Sequence, residues 1–144
     1  MGSITSANAV YALSIASLYN TAQQLQGFSA DEIFSTDPLE SAEVLMGVDG
    51  ILSAGFIFVP VKQMINLQAD SPSNLIFQNW WASQQVAKDV YIASGIITLP
   101  SISTKFTLSQ GYLTTYPATP DAGKTLKPRK YGITWQSILP GIIA

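Results

Sequence analysis

At 144 residues the chain is long enough for one domain that buries roughly two-thirds of its unfolded surface. Only 11% of its residues are charged while 47% are hydrophobic, and the net charge is −2; a surface so poor in charge favours an assembly subunit over a freely dispersed monomer. With neither histidine nor cysteine, the chain lacks imidazole acid/base chemistry, thiol nucleophiles, disulfides and zinc sites built from those residues.

The first apolar run, Ala9 to Tyr19 (AVYALSIASLY), reads as a strand. It has no basic n-region and is too short to span a bilayer, so neither a signal peptide nor membrane insertion is expected. The protein is expected to be synthesised in a host cytoplasm and to leave it only within a larger particle. Gly27 to Glu40 (GFSADEIFSTDPLE), crowded with charge and containing Pro38, reads as a loop.

SAEVLMGVDGILSAG reads as a hairpin, with Asp49-Gly50 supplying a two-residue type I′ turn and Ala42, Val44, Met46 and Val48 on an inward face. Period-two alternation then places Ile57, Val59, Val61, Ile65 and Leu67 on one face of a strand from Phe56 to Gln68. Pro60 removes an amide donor and makes that strand an edge or a bulged one.

One helix is expected, over about 72–89. Ser71 or Ser73 can cap it, Pro72 suits a first turn, and Ile76, Phe77, Trp80, Gln84 and Ala87 fall at helical spacing. Trp80 therefore faces inward as a core anchor. Trp81 lies 100° round, at the stripe's edge, where it either covers the sheet margin or touches another subunit.

Two long strands close the chain. In TKFTLSQGYLTTY, Phe106, Leu108, Tyr112 and Tyr116 share a side, and in RKYGITWQSIL, Tyr131, Ile133 and Trp135 do. The stretch between them, Thr114 to Lys130, holds three prolines and reads largely as a loop. The whole chain, 1–144, is expected to be a single domain, mainly β, a sandwich or barrel of long antiparallel strands with one flanking helix.

Charge is segregated. Asp31, Glu32, Asp37, Glu40, Glu43 and Asp49 precede the first cation, Lys62, whereas Lys105, Lys124, Lys127, Arg129 and Lys130 lie in the last forty residues. Folding can bring these poles together within one subunit. Alternatively Asp31, Glu32, Asp37 and Glu40 of one copy meet Lys124, Lys127, Arg129 and Lys130 of the next, a heterologous contact that builds rings and stacks. KTLKPRK is one short basic cluster in an acidic chain, too little for specific nucleic-acid recognition.

Nothing has the residue types and spacing of an active site. There is no GxGxxG, no GxxxxGK[ST] and no SxxK, and Asp31-Glu32 or Glu40 with Glu43 read as solvated loop carboxylates. Neither enzyme activity nor a cofactor or metal is expected.

Five motifs in fixed order carry a resemblance: SITSANAVYALSIASLY, QQLQGFSADEIF, SAEVLMGVDGILSAG, LQADSPSNLIFQNWW and LKPRKYGITWQS. Together they resemble tail tube proteins of bacteriophages with contractile tails, over nearly the whole chain. Some proteins of this pattern carry labels such as tail fibre. The resemblance implies a virion protein, six copies per ring, with rings stacked into a hollow tube inside a sheath and bounded by baseplate and tail terminator proteins. Genomic DNA would pass through the lumen without specific binding, past a lining of acidic and neutral groups that repels phosphate. The helix would lie on the sheet's outer side, leaving Trp81 for the margin, a neighbour or the sheath. The alternatives are a terminator or baseplate-proximal tube protein, and a monomeric glycan-binding tail fibre module.

Overall fold

The computed structural model describes residues 9–28, 33–119 and 122–142. Along the chain run β1 (Val10–Ile15), β2 (Tyr19–Gln24), β3 (Phe34–Thr36), β4 (Ala42–Met46), β5 (Leu52–Phe56), β6 (Val61–Leu67), α1 (Asn74–Ala87), β7 (Ala93–Leu99), β8 (Thr104–Thr115) and β9 (Arg129–Ile142). Seven strands form one antiparallel sheet in the order β2-β1-β7-β8-β9-β6-β3, and β4 and β5 form a separate two-stranded sheet. The protein is mainly β with one helix among the described residues, as its alternating patterns indicate.

The large sheet curls until its ends face each other. Tyr11 on β1 reaches across to β6, its hydroxyl donating to Gln63 Oε1 at 2.5 Å, and its ring meets Phe34 of β3 edge-on at 5.8 Å. This produces two facing layers, as in a sandwich, rather than a closed barrel. Between them lie Leu13, Ile15, Ile65, Leu67, Ile97, Leu108, Ile133 and Trp135, all buried. Trp135 Nε1 also donates to Gln63 Oε1, at 3.2 Å, so the amide oxygen satisfies two buried donors at once. Gly111 exists for this tryptophan: a Cβ there would come within 2.4 Å of the indole ring.

Helix α1 covers the open side. Phe77 stacks on Tyr131 at 4.2 Å, Trp80 packs beside Phe77 at 6.2 Å, and Asn74 Oδ1 accepts the buried Tyr131 hydroxyl at 2.8 Å. The helix is shorter by two residues at each end than its periodicity allows. Pro72 precedes the N-cap, Ser73, which makes no side-chain cap bond. Ser71 and Ser73 instead bond the backbone of Gln26, tying the helix start to the end of β2. Lys88 ends the helix in the left-handed region, with φ 52°, and Ala87 is exposed rather than inward.

Several strands differ from their expected form. The apolar run from Ala9 is a strand and the start of a second, because the chain reverses at Ser17, where φ is 72°. The Phe56–Gln68 run is broken at 57–60, so Pro60 lies between strands and β6 is internal, flanked by β9 and β3. Within the charged stretch from Gly27, Phe34–Thr36 adds a strand to β6.

In β8 the inward side changes. Gln110 takes φ 51°, the register with β7 shifts between Leu108 and Gly111, and Gly111 and Leu113 then face the core where Tyr112 was expected. A second shift against β9, between Leu113 and Thr115, brings Tyr116 back to the core margin.

The hairpin forms in the expected place with a different turn and a different environment. Gly47 N donates to Ile51 O at 2.9 Å and only Gly50 has positive φ (83°), giving a three-residue loop in place of a two-residue type I′ turn. Asp49 keeps an ordinary backbone and uses its carboxylate to accept from Ile51 N at 3.1 Å. Ala42, Val44, Met46 and Val48 face no core, because every residue of β4 and β5 is exposed.

Candidate assembly surfaces

The β4–β5 hairpin is an arm with apolar side chains on both faces. Leu45 is 69% exposed, Phe56 71% and Phe58 92%, and Val44, Met46, Val48, Ile51 and Leu52 are exposed with them. Phe56 and Phe58 meet edge-to-face at 4.9 Å, forming an aromatic shoulder at the arm's base. A lone two-stranded hairpin is marginal in water, and an apolar patch of this extent marks an interaction surface. At the root of the arm lies a groove of about 620 Å³, walled by Leu39, Phe56, Phe58, Pro60, Ile138 and Leu139.

The large sheet ends in β2 and β3. Strand β2 (YNTAQQ) is polar and mostly exposed, and β3 has only three residues, beside a longer β6. Outer strands of this kind offer backbone groups to a partner strand.

The charged candidates are spread out. Asp31 and Glu32 fall outside the described residues. Asp37 and Glu40 are exposed between β3 and the arm, and Lys124 and Lys127 are exposed on the loop before β9. Lys130 is exposed on β9. No ion pair joins acidic and basic side chains among the described residues.

Arg129 is different, being only 5% exposed. Its guanidinium lies over Tyr131 and Tyr116 at 5.4 and 5.7 Å, and Nη2 donates to the Tyr116 hydroxyl and to Pro117 O, both at 3.3 Å. Its buried Nε has no partner. Burial pushes the Tyr131 hydroxyl up to about 12, with Arg129 pulling it down and Tyr116 adding a smaller rise.

The two tryptophans are placed unequally. Trp80 is fully buried. Trp81, 36% exposed, stacks face to face on Tyr116 at 4.9 Å with an interplanar angle of 9°, so a row of rings runs from Trp81 through Tyr116 to Tyr131 and Phe77. Trp81 thus covers the end of the sheet, and part of its ring stays in solvent.

Among the described residues no group of His, Cys, Asp or Glu could hold a metal, and no helix is long and apolar enough to cross a membrane. The profile described as tail fiber protein gp32 matches residues 2–139. The chain belongs to this family. It is a bacteriophage tail component.

The gp32-family chain shares its fold with components of contractile injection systems. It resembles a chain of the six-fold symmetrised baseplate of the anti-feeding prophage, with TM-score 0.64 and 14% identity, covering 99% of this chain and 98% of that one. A chain of the tube-terminating cap of the same particle gives TM-score 0.60 at 9% identity, over 99% and 93%. A chain of the extended sheath–tube complex of an extracellular contractile injection system, PVC, gives 0.52 at 9%, over 92% and 88%. No curated protein matches the sequence.

Sequence reasoning missed the arm as a surface. Its apolar residues look like core in one dimension, because Ala42, Val44 and Met46 alternate with Glu43 and Leu45 much as a half-buried strand would.

Proposed function

We propose that this gp32-family protein is the inner tube subunit of a contractile phage tail. Six copies close a ring, rings stack into a hollow tube inside the tail sheath, and DNA leaves through the lumen. The observation that carries this reading is the free-standing apolar arm, which finds its partners only on other copies. An arm seated in the groove at a neighbour's arm root buries both apolar surfaces. Strand β2 of one copy beside β3 of the next continues the sheet round the ring and removes its edges. Asp37 and Glu40 on one copy facing Lys124 and Lys127 on the next add a stacking contact of opposite sign. Asp31, Glu32, Lys130 and the free part of Trp81 remain candidates for the same subunit contacts, whereas Arg129 is buried against Tyr116 and Tyr131 of its own subunit. The sheath, baseplate and tail terminator would be the heterologous partners.

Negative-stain electron microscopy of the purified protein over a concentration series tests this. Hollow tubes or stacked six-fold rings are the expected result. Monomers at every concentration, with specific binding to host-surface glycans, would instead establish a fibre module. A second reading is a cap or baseplate-proximal ring, favoured by the higher fold similarity to the cap and baseplate chains than to the sheath–tube chain. Single or paired rings that never extend would select it.

A further inference from the structure

Strand β9 is the longest of the described strands, and only its first half is paired on both sides. Residues 129–135 lie between β6 and β8, with Leu67 opposite Arg129 and Val61 opposite Trp135. Beyond Trp135 the strand keeps its ladder with β8 as far as Ile142, yet on the β6 side no backbone group of the described residues pairs with it. The chain before Val61 does not follow β9. It leaves the sheet at 57–60, and Ile57 N donates to Ser41 O at 3.0 Å at the base of the arm.

The sequence marks the same margin as open. A proline within a sheet is tolerated where its missing amide hydrogen is not needed, at an edge, and Pro140 stands in this half of β9. It also restricts further pairing to residues 136–139. Those four residues form one wall of the groove at the arm root, facing Leu39, Phe56, Phe58 and Pro60. The groove therefore combines apolar side chains with a row of backbone amides and carbonyls that its own subunit leaves unpaired. A helix or an irregular loop entering it would cover the side chains and leave that row unsatisfied.

We infer that this margin of β9 is a strand-addition site and that its occupant is an arm strand of a second copy. Strands β4 and β5 pair only with each other, so each keeps one free edge of five residues, enough to cover 136–139. The arm exposes Val44 and Met46 on one face and Leu45 on the other, so either face can lie against the apolar wall. The inference rests on the reading that arms dock on other copies, and it adds the main-chain bonds that hold them. Strand addition takes affinity from the backbone and specificity from the alternate side chains. It also gives a two-stranded arm, marginal alone, a third strand.

The chain has no cysteine, so engineered pairs report contact between copies without background. Full-length protein carrying Ser137→Cys and a size tag is mixed with untagged protein carrying one substitution in the arm, taken in turn from Ala42→Cys to Met46→Cys and from Leu52→Cys to Phe56→Cys. Residues opposite each other on paired strands have Cβ atoms about 4.5–5.5 Å apart, near disulfide distance, and their chain neighbours point to the other face. Mixed disulfide should therefore peak at one position of one arm strand and drop at the positions on either side. Moving the probe to Leu139→Cys should move the peak by two residues. Uniform yield along both arm strands, no mixed disulfide, or a peak that stays in place overturns strand addition. A periodic pattern obtained with cysteines at residues 2–8 and not in the arm overturns the occupant. Electron microscopy of the wild-type protein keeps the two claims apart. Six-fold rings without the alternating pattern would leave the tube standing and refute this site, whereas the pattern in a protein that forms no rings would do the reverse.

Discussion

Replacing Leu45 and Ile51 by serine tests the arm directly. Both are exposed in the isolated chain, at 69% and 64%, so their loss should change monomer stability by no more than about 0.5 kcal/mol. If the arm docks in a neighbour, each side chain becomes buried there, at about 1.5–3 kcal/mol apiece. The double variant then loses about 3–6 kcal/mol per docked arm. At about 1.4 kcal/mol per tenfold, the protein concentration needed for ring or tube formation rises at least about a hundredfold. Sedimentation velocity and electron microscopy over a concentration series read assembly, and thermal unfolding of dilute protein reads the fold. Assembly at the wild-type concentration would refute the docking argument. A large drop in unfolding temperature with assembly otherwise normal would show that the arm packs on its own subunit.

Three further outcomes follow from the core. Trp80→Ala should cost about 3–5 kcal/mol, whereas Trp81→Ala removes the Tyr116 stack and should cost about 0.5–1.5 kcal/mol; equal losses in chemical unfolding would contradict their different placement. Gly111→Ala should destabilise as severely as Trp80→Ala or prevent folding, because the new methyl meets the rigid Trp135 ring, and a crystal structure with Trp135 unmoved would refute this. Tyr11 and Tyr131 both titrate late through burial, Tyr131 at about 12 and Tyr11 well above the usual tyrosine value. Because the unfolded chain ionises first, stability is intact below pH of about 10 and falls as pH rises towards 12. Tyr131→Phe should flatten that fall, read from denaturation midpoints, and an unchanged slope would contradict it.

The strands at the C-terminus were legible because one face of each is buried and the other wet, which writes a period of two into Tyr131, Ile133 and Trp135. The reading failed where an extra residue enters the ladder. A bulge at Gln110 moves the inward side from Leu108 to Gly111, and a glutamine gives no sign that it will take a positive φ. Strand β2 was missed because an outer strand exposed on both sides has no apolar period, and β3 because three residues carry no pattern. The helix was legible from Ile76, Phe77 and Trp80, yet its serines bond Gln26, a partner 45 or more residues away in sequence that local capping rules do not anticipate.

The low charge content anticipated a covered surface but not its location. Composition is indifferent to position, and the arm's leucines and valines are the same residues that fill the core. Three dimensions separate the uncharged surface into two kinds. On the arm and its root it is apolar, where water must leave for a protein partner to bind. On the outer sheet face hydroxyls, amides and lysines surround the isolated exposed side chains Ile96 and Leu139. The carboxylates of the described chain all lie off the strands of that sheet, on the arm or in loops, and Asp37 alone comes back beside Lys62 to line a depression with Thr114 and Thr134.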